Sequence, residues 1–136
     1  MFQLTPYLYF AGRCAEALEF YHHYCFGGRV TNIRLFKDAP QYIESVEPDW
    51  IMHAEFEANG IHLMLSDGVV AKELAGNNMA LSLRVDDLDI QLKLFDQLAD
   101  GGRVMMPLTD TFIGSRLGKV EDKFGVRWMI HCKFTN

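Results

Sequence analysis

Several things are scarce in this chain, and each scarcity removes a class of protein. The 136 residues hold three cysteines, Cys14, Cys25 and Cys132, with no CxxC spacing. An odd, scattered set argues against a disulfide framework or a thiolate zinc site and suits a reducing compartment, so a cytoplasmic location is expected. Basic runs are absent: thirteen Lys and Arg stand against eighteen Asp and Glu, for a net charge of −5. A phosphate backbone is a poor partner for such a surface, and no nucleic acid is expected to bind. No apolar run approaches the roughly 20 residues that cross a bilayer, and no charged segment leads into an apolar one as in a secretory signal, so no membrane partner is expected. GxSxG, phosphate-loop, dinucleotide and HExxH motifs are also missing; LADGGR has adjacent glycines but reads as a helix stop.

What is present is ordinary globular material, 49% hydrophobic and 23% charged. It is enough for a single domain over 1–136 or for two small halves sharing a core. Residues 3–10, QLTPYLYF, read as a strand that Pro6 confines to an edge or bulge, because proline cannot donate to a ladder. CAEALEFYHHYCF, 14–26, sets Ala17, Leu18, Tyr21, Tyr24 and Cys25 on one helical face and stops at Gly27-Gly28. A strand over 29–37 and a polar excursion around Pro40 and Pro48, looped or briefly helical, precede two strands at 51–58 and 61–66. Asn59-Gly60 joins those two strands as a type I′ hairpin turn, in which both central residues need positive φ.

The order then recurs. A strand over 79–86 leads into a helix over 88–99, capped by Asp86 or Asp87, with Leu88, Leu92, Phe95, Leu98 and Ala99 as its buried stripe. Gly101-Gly102 and strands near 103–106, 115–122 and 126–133 follow, the last two joined by a turn at Asp122–Gly125. The chain thus reads as two βαβββ modules, 3–66 and 79–134. Such units can curl into an α+β, cup-shaped open β-barrel with helices outside and a cleft within.

Side chains alternate across a strand, which splits each strand into an apolar set and a mixed set. Ile61, Leu63 and Leu65 leave His62, Met64 and Ser66; Leu81, Leu83 and Val85 leave Ser82 and Arg84. Val126, Trp128 and Ile130 leave Arg127, Met129 and His131, and Ala54 and Phe56 leave His53, Glu55 and Glu57. Convergence of the mixed faces would make a ligand cleft lined by His62, Met64, Ser82, Arg84, Arg127, Met129 and His131. The plainer reading is the solvated side of antiparallel strands.

The stretches TPYLYFAGRCAEALEFY, MHAEF, LMLSDG, LADGGRVMMPL and GKVEDKFGVRWMI resemble the PhnB-like branch of the vicinal oxygen chelate superfamily, often labelled 3-demethylubiquinone methyltransferase-like. That superfamily includes glyoxalase I, extradiol dioxygenases and bleomycin-resistance proteins. The resemblance spans nearly the whole chain and implies its fold and, commonly, a homodimer; TFIGSR departs from it in carrying Ile113 where Trp is expected. Enzymes of the superfamily hold a divalent metal through a His or Glu on the first and last strand of each half. Those positions fall near Pro6, Met64, Ala80 and Met129, none of which suits a hard cation, so no metal is expected at the usual site and no cofactor is assigned.

His53, Glu55, His62 and His131 have metal-ligand chemistry, yet cross-strand neighbours in a hairpin have that spacing by default. His53 and Glu55 are also the candidate catalytic pair, as general acid and base, against the simpler reading of an orienting hydrogen bond. Arg84 and Arg127 could clamp an anion or pair with Glu55, Glu57 or Glu121. The expectation is a protein that binds a small molecule, with a lyase or isomerase using the His/Glu cluster, or a noncatalytic interaction protein, as alternatives.

Overall fold

The computed structural model describes residues 1–39, 47–72 and 75–134. Residues 40–46, the middle of the polar excursion, lie outside that set, so its reading as loop or helix does too. The chain divides into two compact units, Met1–Leu74 and Ala75–Asn136.

The first unit contains β1 (Tyr7–Tyr9), α1 (Cys14–Glu19), β2 (Arg29–Leu35), β3 (Ile51–Ala58) and β4 (Ile61–Ser66), in the sheet order β1-β4-β3-β2. β1 runs parallel to β4, and the other neighbours are antiparallel. The alternation in β3 and β4 buries Ala54, Phe56, Leu63 and Leu65 on the face that α1 covers, beside Cys14, Ala17, Leu18 and Tyr21. Each large apolar side chain buried this way stabilises the fold by about 1.5–3 kcal/mol. Asn59 and Gly60 have φ of 32° and 87°, as the type I′ turn requires.

The first helix differs from its expected form. Its α-helical part ends at Glu19 and continues as a π-helix over Phe20–Phe26. Bonding from i to i+5 widens the turn, so the α-helical period no longer tells which residues face inward. Phe20 is buried instead, whereas Tyr24 is exposed and Cys25 only half-buried. The first strand is also shorter than 3–10: Pro6 precedes it, and the Pro6 carbonyl accepts from the Met64 N–H at 3.0 Å.

One buried carboxylate ties this unit together. Asp67 Oδ1 accepts from the N–H groups of Gly12 and Cys14, and its Oδ2 accepts from that of Ile51, each at 2.8 Å. It joins the entry to α1 to the start of β3, so one side chain ties together segments more than fifty residues apart in sequence.

The second unit contains β5 (Leu81–Arg84), α2 (Leu88–Ala99), β6 (Arg103–Asp110), β7 (Ser115–Glu121) and β8 (Arg127–Lys133), in the order β5-β8-β7-β6 with β5 parallel to β8. Asp87 caps α2, its Oδ1 accepting from the N–H groups of Asp89 and Ile90. The buried stripe is Gln91, Leu94, Phe95 and Leu98, and Leu92 faces solvent. Gln91 belongs inside because its Nε2 donates to the carbonyls of Arg116 and Ile130, while its Oε1 accepts from Arg116 Nε at 2.7 Å. Asp122 accepts from the N–H groups of Phe124 and Val126 and from Trp128 Nε1, holding the β7–β8 turn where the sequence placed it.

Identical strand order in the two units is the structural form of the repeat. The glycine pair after each helix has the same purpose in both. A Cβ on Gly28 would overlap the carbonyl oxygen of Glu57, and one on Gly102 would overlap that of Glu121. The arginine after each pair then reaches the same carboxylate, Arg29 to Glu57 at 2.9 Å and Arg103 to Glu121 at 3.4 Å.

Candidate functional site

Each sheet has a helix-covered face and an opposite face, and the expected site residues lie on the latter. In the first sheet the register aligns Tyr7 with Met64, Met64 with Glu55, and His62 with Glu57. Residues paired in this way project to the same side, so Tyr7, His53, Glu55, His62 and Met64 share one surface.

These side chains form a line. The Tyr7 hydroxyl lies 2.8 Å from His53 Nδ1, and His53 Nε2 lies 3.0 Å from Glu55 Oε2. On the other side of Glu55, Oε1 is 3.8 Å from His62 Nε2, too long for a hydrogen bond. His62 Nε2 is shielded from solvent and has no hydrogen-bond partner among the described residues. Hydrogen bonds from His53 and Asn32, offset in part by desolvation, hold the Glu55 carboxyl below its ordinary value of 4.5. Asn32 reaches Glu55 because β2 is irregular between Thr31 and Arg34, where Asn32 adopts φ of 55°. Burial and the neighbouring Tyr9 raise the Tyr7 hydroxyl above 10.0, against the effect of Ser66.

Since Glu55 stays ionised, it only accepts, and His53 Nε2 must carry a proton to bond it. When the imidazole is neutral, Nδ1 is then the acceptor and the Tyr7 hydroxyl donates to it. Next to this line, Arg29, Glu57, the Asn59-Gly60 turn and His62 bound a shallow depression of about 630 Å³.

The open face of the second sheet is different. Ser82 aligns with Met129, and Met129 with Lys119; Arg84 aligns with His131, and His131 with Leu117. Arg127 is tied to Glu121 at 3.1 Å, the ion-pair reading of that arginine. Burial works against ionisation of Glu121, but the hydrogen bonds and charges of Arg103 and Arg127 outweigh it and hold its carboxyl below the usual range. Ser82 and Arg84 are exposed, and Met129 and His131 are half-buried.

Among the expected residues, then, the structure joins His53, Glu55 and His62, with Met64 beside them, and places Ser82, Arg84, Arg127, Met129 and His131 on the other sheet. Tyr7 was not foreseen. The only sequence signal for it is its place in an alternating strand; its meeting with His53 depends on β1 pairing with β4.

The donor set can also be compared with the superfamily's metal positions. The last-strand positions are Met64 and Met129, and their aligned neighbours on the first strands are Tyr7 and Ser82. Tyr7, not Pro6, is therefore the residue on the open face of β1. Thioether, phenol and hydroxyl groups do not match the imidazole and carboxylate donors of that site, so these residues do not fit its metal. Among the described residues no three His, Cys, Asp or Glu side chains are grouped to hold a metal ion.

Comparison with known proteins agrees with the repeated sheets. The model of the Glyoxalase/Bleomycin resistance protein/Dioxygenase superfamily matches residues 3–130, and the chain belongs to that superfamily. It is 33% identical to protein YjdN of Escherichia coli K12, over 94% of this chain and 93% of that one. The crystal structure of protein PA1353 from Pseudomonas aeruginosa is 37% identical, covers 98% of both chains and superposes with a TM-score of 0.85. The PhnB protein from Bacillus cereus shares the fold at 24% identity, with a TM-score of 0.80 over 96% of this chain and 99% of that one. Among the described residues no helix is long and apolar enough to cross a membrane.

Proposed function

We propose that the protein binds a small polar molecule on the open face of the first sheet, against Tyr7, His53, Glu55, His62 and Met64, without the superfamily's usual metal. The observation that carries this reading is His62, which bounds the depression of about 630 Å³ and whose ring Nε2 has no hydrogen-bond partner among the described residues. Leaving such a group unpaired costs about 1–3 kcal/mol, and a bound ligand would recover that cost. Met64 adds a polarizable apolar contact next to it, a combination typical of small-molecule sites. The open face of the second sheet, with Ser82, Arg84, Met129 and His131, is the corresponding surface of the other module; Arg127 serves there mainly to hold Glu121. A cytoplasmic homodimer is part of the same reading, supported by the odd, scattered set of cysteines for the compartment and by the superfamily resemblance for the dimer.

The test is a screen of small polar metabolites by NMR on chelator-treated protein. A binder that shifts the His62 ring and Met64 methyl signals, and loses about tenfold in affinity in His62→Gln, is the expected result; that factor is about 1.4 kcal/mol, one hydrogen bond. Tight stoichiometric uptake of zinc, nickel or manganese, with ligand binding only in the loaded protein, would overturn the metal-free reading. Binders that shift only residues of the second sheet would overturn the choice of face.

A further inference from the structure

Tyr7, His53 and Glu55 have an arrangement that ligand binding does not require. A hydroxyl bonds one nitrogen of an imidazole, and a carboxylate bonds the other. That is the logic of a catalytic triad: a reacting hydroxyl, a base beside it, and a third group that fixes the base's tautomer and balances its positive charge. We propose that Tyr7, His53 and Glu55 form a proton relay, in which the Tyr7 oxygen meets the bound molecule and His53 Nδ1 receives the Tyr7 proton. The proposal rests on the open face of the first sheet being the ligand site.

Each member sits where the relay needs it. Tyr7 is 36% exposed on edge strand β1, so its oxygen can be approached while it remains bonded to His53. The His53 and Glu55 side chains are about a quarter exposed, which shelters the charge separation without removing it from water. The contact from the Tyr7 hydroxyl to the Met52 carbonyl is 3.5 Å, against 2.8 Å to His53, so the imidazole is the effective acceptor.

The chemistry is proton removal from a small molecule bearing a weakly acidic O–H, or a C–H next to a carbonyl. The ligand's proton bonds to the Tyr7 oxygen as the tyrosine's own proton passes to His53 Nδ1. The ligand retains the electron pair, and the imidazolium lies against the Glu55 carboxylate. The reverse sequence returns a proton to the ligand. Other titratable or charged groups bear on His53 from its surroundings. Tyr9 lies on β1, Arg34 is its register partner on β2, His62 is on β4, and Glu57 is on its own strand. Arg34 directs its guanidinium to the Ile33 carbonyl, and Glu57 is held by Arg29, which leaves Glu55 as the carboxylate bonded to His53.

Tyr9 supplies an internal control. It lies two residues along β1, its ring centroid 5.1 Å from that of Tyr7 with the planes tilted by 31°, and is more exposed, at 54%. Its hydroxyl makes no hydrogen bond to a histidine among the described residues. The probe is p-nitrophenyl acetate applied to ligand-free protein. Acetyl transfer forms a bond from the tyrosine oxygen to the acyl carbon, p-nitrophenolate leaves, and the tyrosine proton goes to the base. Without help from a base, Tyr7 would react no faster than the more exposed Tyr9.

The expected result, read by peptide mass spectrometry, is acetylation of Tyr7 at least tenfold faster than Tyr9. That excess should be lost in His53→Gln. Nitrogen-15 NMR should find neutral His53 with its proton on Nε2, and Glu55→Gln should abolish that preference. Equal labelling of the two tyrosines, or a proton on Nδ1 of neutral His53, overturns the relay. Because these measurements use ligand-free protein, they succeed or fail separately from the ligand screen.

Discussion

In the first sheet the aligned row across the open face reads Tyr7, Met64, Glu55; in the second, the corresponding row reads Ser82, Met129, Lys119. His53 is matched by Leu117, and His62 by Arg127, through the same registers. The rim of each sheet, by contrast, is kept: Arg29 with Glu57 in one, Arg103 with Glu121 in the other. A repeated scaffold can therefore hold its corners fixed by glycine contact and ion pair while one face acquires a Tyr-His-Glu line and the other a second arginine on its rim carboxylate. The difference lies in single side chains at equivalent positions, because strand order and pairing are the same in both.

The comparison is broken most severely at the buried carboxylates. Asp67→Ala strands three N–H donors, from Gly12, Cys14 and Ile51, and should cost about 3–5 kcal/mol in urea unfolding. Asp122→Ala should cost somewhat less, about 2–4 kcal/mol, because water can reach the turn amides of Phe124 and Val126. A smaller loss for Asp67 than for Asp122 would mean that the long-range tie in the first unit matters less than the local turn in the second.

Gly28→Ala and Gly102→Ala test the shared corner. Each drives a methyl group into a strand carbonyl and should cost about 2–3 kcal/mol by the same unfolding assay. Gly28 should lose about 1 kcal/mol more, since its φ of 75° also strains any residue with a Cβ. Gln91→Leu comes next, at about 1–3 kcal/mol, from the carbonyls of Arg116 and Ile130 left without their donor. The first unit has no counterpart in its α1, where Cys14, Ala17 and Leu18 fill the covered face.

The smallest effects are electrostatic. Glu55 and Glu121 both have folded-state pKa values below 4.5. Each therefore contributes stability that is present above the unfolded carboxylate value and is lost as pH falls through the folded one. Carbon-13 NMR titration should show the Glu121 pKa rising in Arg127→Ala and that of Glu55 rising in His53→Gln. High salt should weaken both effects, and if Glu55 titrates normally in wild-type protein its bond to His53 is not formed in solution.

Much of this was legible in local sequence. The hairpin at Asn59-Gly60, the bounds of Leu88–Ala99 and the alternation of β3, β4 and β8 all follow from period and turn chemistry within a few residues. So did the grouping of His53 with Glu55, two positions apart on one strand. Other features gave no local sign. Tyr24 was expected to be buried because its spacing is helical, but the change to π-helical bonding at Phe20 is visible only in the backbone. Leu92 was expected to be buried because it is apolar, yet Gln91 is the residue inside, since its amide finds strand carbonyls 25 and 39 residues away.

The sequence by itself determined which residues could share a strand face, because alternation is a property of neighbouring peptide units. It also determined that the chain repeats a strand-helix-strand pattern ending in a hairpin. Only the tertiary structure decided that β1 pairs parallel with β4, and with it that Tyr7 stands against His53 across 46 residues of chain. Pairing of that kind depends on closing a long loop and burying a common core, so no local pattern specifies it.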